Sequence, residues 1–258
     1  MTKTILITGA TDGIGRETAR LLAVEGHRLL LHGRSPAKLA AVAEEIGAAE
    51  MFVADLSRLA DVRRFAEEVA ARYDRLDVLI NNAGVFKTPE TRTSDGLDIR
   101  FAVNTIAPYL LASLLLDRFN PSGRIVNVSS AAQAPVDLAA LTGERAGLGD
   151  MEAYAQSKAA LTAWTIAMAS KLEQNGPLVV SVNPGSLLAS KMVKEGFGVA
   201  GSDLSIGANI LARAALSDEF LGRSGAYYDN DAKRFAEPED YVSQQADVIV
   251  ETVERVLE

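Results

Sequence analysis

The chain has 258 residues, 48% of them hydrophobic and 23% charged, and a formal net charge of −8 with no basic cluster; nucleic acid is therefore not an expected partner. There is no cysteine, so a disulfide framework, a Cys metal site and a thiol nucleophile are excluded; the two histidines, His27 and His32, leave little room for a zinc site or a His-based triad, and no metal is expected. No charged leader precedes Ile5-Leu6-Ile7, and the apolar stretch Leu110 to Leu116 is far shorter than the ~20 residues of a bilayer span; the expectation is a cytoplasmic protein without a membrane partner.

Short apolar β-type runs alternate with helical patterns along the chain. Strands are predicted at 4–8, 28–32, 51–54, 78–81, 124–128, 179–183 and 226–228, and helices at 14–25, 36–46, 58–73, 96–118, 152–174 and 203–216. Near-continuous apolar strands separated by helices imply a parallel sheet covered on both faces. No linker divides the chain. The reading is a single α/β domain over 1–258, a Rossmann-type doubly wound sheet of about seven strands with helices on both faces. Beyond Pro184 the alternation loosens, and the glycine-rich stretch 186–202 reads as a loop or substrate lid. Residues 239–258 carry apolar positions at helical spacing and are expected to pack as one helix.

Gly9, Gly13 and Gly15 follow the first strand and open the first helix, with Thr11, Asp12 and Ile14 in the same turn. Glycines there allow a tight turn, a close approach of backbone to phosphate, and close helix–strand packing. The helix N-terminus adds unpaired N–H groups and partial positive charge for a pyrophosphate. At the end of the second strand, where an NAD-preferring fold places an acid, the chain reads His32-Gly33-Arg34-Ser35. Arg34 can pair with a 2′-phosphate through its guanidinium fork and Ser35 can add a hydroxyl, so NADP(H) is expected over NAD(H). Asp55-Leu56, after the third strand, can carry a carboxylate toward an adenine, with Ser57 available as the following helix cap.

Tyr154 and Lys158 stand four residues apart in a helical stretch, which places a phenol and an amine on one face. An ammonium beside a phenol stabilises the phenolate and lowers its pKa, making a usable proton donor near neutral pH.

Seven motifs stand in one order: Thr8-Gly9-x-x-x-Gly13-Ile14-Gly15, Asp55-Leu56, Asn81-Asn82-Ala83-Gly84, Asn104, Val128-Ser129-Ser130, Tyr154-x-x-x-Lys158 and Asn183-Pro184-Gly185. On these the chain resembles the short-chain dehydrogenase/reductase family, from Lys3 to about Ser190 and more loosely beyond. The resemblance implies that Tyr154 is the general acid/base, that Lys158 lowers its pKa and holds the nicotinamide ribose, and that Ser130, rather than Ser129, bonds the substrate oxygen. It also implies that Asn104 supports a proton-relay water, that Asn81, Asn82, Ala83 and Gly84 close the cofactor floor, and that Pro184 and Gly185 pass near the nicotinamide. Family members often form dimers or tetramers on the helices near 96–118 and 152–174, so a homo-oligomer is expected.

The stretch from Ser130 to Tyr154 is longer than in many members. That is similar to the retinol-dehydrogenase-like branch, which favours NADP and bulky apolar substrates. Where the family often has a cofactor-contacting Thr after Pro-Gly, this chain reads Ser186-Leu187-Leu188-Ala189-Ser190, leaving Ser190 as a substitute. Leu187, Leu188, Met192, Val193 and Phe197 can form an apolar wall in the lid. The expected activity is NADP-dependent hydride transfer to or from a carbonyl or alcohol substrate. The alternatives are a catalytically silent NADP-binding regulator or scaffold of the same fold, and, against the glycine spacing and chain length, dehydration or epimerisation.

Overall fold

In β1 (Thr4–Ile7) the residues Ile5, Leu6 and Ile7 are fully buried. Successive strand side chains point to opposite faces, so Leu6 joins one hydrophobic core while Ile5 and Ile7 join the other. The structure, a computed structural model, describes residues 1–47, 49–172, 176–186, 188 and 201–258. β2 (Arg28–Gly33), β3 (Ala49–Val53), β4 (Leu76–Asn81), β5 (Phe119–Val128), β6 (Leu178–Asn183) and β7 (Tyr227–Asp229) continue the parallel sheet. The order is β3-β2-β1-β4-β5-β6-β7-β8, and the reversal between β1 and β4 opens a crevice at the strands' carboxyl ends. Among the described residues the sheet has eight strands rather than the expected seven. The extra one, β8 (Arg234–Ala236), pairs antiparallel with β7. Three residues are too few to display a period, and the return rests on Lys233 at a φ of 53°.

Helices α1 (Gly13–Val24), α2 (Pro36–Ile46) and α8 (Leu204–Leu216) cover one face. Helices α3 (Leu59–Arg72), α5 (Ala107–Leu115), the short α6 (Leu138–Leu141), α7 (Asp150–Leu172) and α10 (Ala246–Leu257) cover the other. On that side Trp164 is fully buried and meets Tyr109 edge-on at 5.6 Å; burial of such a side chain contributes about 3 kcal/mol.

The helix expected over 96–118 is composite. Asp98 caps α4 (Ile99–Phe101) by accepting the Arg100 N–H; a π turn follows at Ala102–Ile106, then α5, then a 3-10 turn at Leu116–Arg118. Pro108 has no N–H to return to the Asn104 carbonyl four residues back, and the helix widens there. The segment Ile99–Arg118, 20 residues with a mean hydropathy of 1.6, is long and apolar enough to cross a membrane by length and composition. This exceeds the stretch expected from Leu110 to Leu116. Some 78% of its apolar window is buried inside the fold, which accounts for its composition.

The tail forms two helices rather than one. The short α9 (Asp240–Gln244) and α10 meet at Gln245, whose side-chain amide bonds both the N–H and the carbonyl of Val136 at 3.0 Å. Ile249, Val250 and Val253 of α10 are buried, and Tyr109 donates its hydroxyl to Glu254 at 2.6 Å. Part of the surface of α5 and α7, the helices on which the family resemblance led us to expect a second copy, is covered by α10. The predicted end of the 152–174 helix and the lid residues Leu187, Ser190, Met192, Val193 and Phe197 lie outside the described residues. Leu188 is described, buried, and bridged to Ser202.

Candidate active site

A cleft of about 840 Å³ runs across the carboxyl ends of the strands, from Arg34, Lys38 and Asp55 at one end to Tyr154, Lys158 and Pro184 at the other. Its middle is the glycine turn, with Thr11, Asp12, Gly13 and Ile14 lining it beside Gly9. Gly9 has a φ of +66°, and a Cβ there would lie 2.8 Å from the Ala83 Cα. Asp12 caps α1, accepting the Gly13 N–H at 2.7 Å. Gly15 does not line the cleft. A Cβ on it would meet the Asn82 amide at 2.3 Å and the Gly9 carbonyl at 2.4 Å, so its role is packing. Thr8 and Asn82 hold the turn: the Thr8 hydroxyl accepts the Asn82 and Ala83 N–H groups, and the Asn82 amide donates to the Thr8 and Gly9 carbonyls. Asn82, Ala83 and Gly84 line the floor. Asn81 instead bonds Asn127 at 2.9 Å within the core.

Arg34, Asp55 and Leu56 line the cleft as expected, but Ser35 does not. Its hydroxyl caps α2 by accepting the Lys38 N–H, and Lys38, which the sequence reading passed over, lines the cleft in its place. The signal was available, since Pro36 sets the first turn of α2 and Lys38 stands in that turn, four residues after Arg34. Ser57 does not cap α3. It donates to Asp55 through both N–H and hydroxyl, while the Leu59 N–H goes to the Asp95 carboxylate at 2.9 Å.

At the other end the two serines separate. Ser129 is buried, its hydroxyl 2.7 Å from that of Thr162. Ser130 lines the cleft with Tyr154, and its hydroxyl accepts the Ala132 N–H at 3.1 Å. The Ser130 carbonyl is held by the Tyr227 hydroxyl at 3.1 Å and by Gln133 at 3.0 Å. Phe86 meets the Tyr154 ring edge-on at 5.2 Å. Asn104 lies behind the cleft wall, its amide bonding the N–H and carbonyl of Val85 and the Ser157 hydroxyl, which ties the segment after β4 to α7. Pro184, Gly185 and Ser186 line the cleft, and Asp231 anchors Ser186 through its N–H and hydroxyl.

Burial pushes the Tyr154 phenol above its ordinary pKa, with the Ser130 side chain offsetting part of the rise. The lowering expected from Lys158 is not what this geometry produces. The Lys158 amine donates to the Val128 carbonyl at 2.6 Å and lies 5.8 Å from the centre of the Tyr154 ring. Its own pKa is lowered to about 7 by burial. A lysine that charges more readily unfolded than folded costs stability wherever it must be protonated in the fold. Between about pH 7 and 10.5 the unfolded chain binds the extra proton, so this contribution to stability rises with pH. Lys158→Met is therefore expected to stabilise the protein at pH 6 and to keep only part of that advantage at pH 9, the rest fading toward pH 10.5, as read from denaturant midpoints of both proteins at the two pH values.

Residues 3–197 match the family model described as short chain dehydrogenase, and the chain belongs to that family of oxidoreductases. It is similar to retinol dehydrogenase 13 of Homo sapiens, with 31% identity over 92% of this chain and 79% of that protein. Among solved structures it is similar to an uncharacterized protein from Mycobacterium paratuberculosis, with a TM-score of 0.85, 28% identity, and coverage of 99% and 93%. It is also similar to a short chain dehydrogenase from Burkholderia cenocepacia J2315 in complex with NADP, with a TM-score of 0.71, 27% identity, and coverage of 88% and 95%.

Proposed function

We propose that the chain is an NADP-dependent oxidoreductase that moves hydride between nicotinamide and the carbon of a ketone, aldehyde or alcohol, with Tyr154 as general acid and base. The observation that carries this reading is one continuous cleft. It holds Ser130 and Tyr154 at one end, the glycine turn in its middle, and Arg34 and Lys38 at the other end. The residues fit a dinucleotide. Gly9 and Gly13 hold positive φ at the start of α1, and a Cβ at Gly33 would strike Thr11 at 2.5 Å, so the backbone stays open where phosphate would approach. Arg34 and Lys38 would hold a 2′-phosphate, Asp55 and Leu56 would frame the adenine, and Pro184 and Gly185 would bound the nicotinamide.

When bound, the nicotinamide supplies or takes up the hydride. Ser130 donates a hydrogen bond to the substrate oxygen and stabilises the charge that builds there. Tyr154 delivers a proton to that oxygen in reduction and withdraws it in oxidation. Lys158 adds its charge as it protonates. Phe86, Val103, Met151 and Leu188 line the same cleft and favour an apolar substrate, in keeping with the similarity to a retinol dehydrogenase.

NADPH consumption with apolar ketones and aldehydes, with NADH in parallel, tests the proposal. Turnover with NADPH supports it. Tight NADPH binding without turnover on any of them would instead make the chain a silent cofactor-binding protein. Arg34→Asp is expected to move the NADPH-to-NADH preference by about 10- to 100-fold toward NADH, the range for a charge-assisted hydrogen bond. An unchanged ratio in kcat/KM would remove Arg34 from the 2′-phosphate site.

A further inference from the structure

His32, near the end of β2, is 2% exposed and lines the cleft, yet the proposed chemistry makes no use of it. Its ring lies between two strands' ends. The Gly9 N–H, just past β1, donates to Nδ1 at 3.3 Å, and Nε2 is 3.1 Å from the Ala54 carbonyl just past β3. A backbone N–H can only donate, so Nδ1 carries no proton, and the same neutral tautomer leaves Nε2–H to donate to Ala54. The ring stacks on Phe65 at 4.7 Å and an interplanar angle of 28°, and the His32 carbonyl accepts the Ala10 N–H at 2.9 Å.

We infer that His32 is a positioning residue for the cofactor cleft, linking the phosphate turn at Gly9 to the strand end that presents Asp55 and Leu56. The inference rests on the reading of this cleft as a dinucleotide site. Gly9 is the pivot of the turn and glycine is the residue least restrained by its own backbone, so an external anchor on its N–H narrows the conformations available before ligand binds. The second bond fixes the carbonyl immediately before Asp55. One imidazole thereby coordinates the parts of the cleft assigned to pyrophosphate and to adenosine, and pre-organisation of this kind is expressed as affinity. Burial lowers the His32 pKa to about 4, outweighing the Ala54 hydrogen bond and the Asp55 charge, which favour protonation, while Arg34 adds to the lowering. The ring is thus neutral throughout ordinary assay conditions and keeps the tautomer that both bonds require.

The test is NADPH affinity, measured by fluorescence titration, in wild type, His32→Phe and His32→Asn, with melting temperatures taken alongside. Phenylalanine keeps a ring to stack on Phe65 and loses both hydrogen bonds. Asparagine keeps an oxygen near the Nδ1 position to accept the Gly9 N–H. The expected result is a rise in Kd of about 3- to 10-fold for His32→Phe, with most of it recovered in His32→Asn. An unchanged Kd in His32→Phe overturns the inference, whatever happens to the melting temperature. So does an equal rise in both variants that follows the fall in melting temperature, since that marks a core residue only. If the wild type binds neither NADPH nor NADH, the dinucleotide reading itself fails, and the inference with it.

Discussion

Tyr154→Phe is expected to reduce turnover by about 10³-fold, within the range for a lost general acid, while leaving the Kd for NADPH within about threefold of wild type. The substitution removes one oxygen atom. The ring keeps its edge-on contact with Phe86 and its place on α7, so the cofactor end of the cleft has no reason to change. What disappears is the hydroxyl and the proton it would exchange with substrate. Single-turnover rates set against cofactor titrations separate the two effects. Equal losses in both would make Tyr154 a structural member of the cleft wall and withdraw the general-acid assignment.

Asp98→Ala is expected to cost about 3–5 kcal/mol of stability, which for a chain of this size is a fall in melting temperature of about 10 °C. Arg100 is 1% exposed. Its Nε and Nη2 engage the Asp98 carboxylate, and Nη1 reaches Asp150 at 2.6 Å. Asp98 also caps α4 through the Arg100 N–H at 2.9 Å. Alanine removes the cap and leaves a buried guanidinium with only the more exposed Asp150. The same network ties α4, which carries the cleft residue Ile99, to the start of α7, which carries Met151 and Tyr154, so KM for an apolar substrate should rise as well. Chemical denaturation of both proteins at neutral pH decides the point, and a loss below about 1 kcal/mol would mean that Arg100 re-pairs fully with Asp150.

Where the sequence carried a repeated physical constraint, its reading matched the structure. Ile5-Leu6-Ile7 announces a strand buried on both faces, and the glycines after it announce a turn against a helix. The choice of Ser130 over Ser129 came with the family resemblance; both serines lie past the end of β5, where Thr162 meets the first hydroxyl and the second residue lines the cleft. Features that depend on partners distant in sequence were not legible. Ser35 resembles a phosphate ligand until the cap to Lys38 is seen, and Gly15 resembles a ligand-facing glycine until Asn82 closes over it. The Lys158 effect depended on the distance between two side chains and on how deeply each is buried, and neither quantity follows from a four-residue spacing. Pro108 did carry a local signal for the break at Asn104, but the strong apolar character of the segment overrode it in a reading based on periodicity.

The position of α10 bears on how this protein behaves when diluted. In an assembly that braces its catalytic helix against a second copy, the brace loosens as subunits dissociate, and activity per molecule falls with protein concentration. Here α10 packs along the helix that carries Tyr154 and Lys158, with Glu254 paired to Lys171 near its far end at 3.6 Å, and the two are joined through one polypeptide. The local concentration of that brace is fixed by chain connectivity, so the support given to α7 is the same at nanomolar as at micromolar protein.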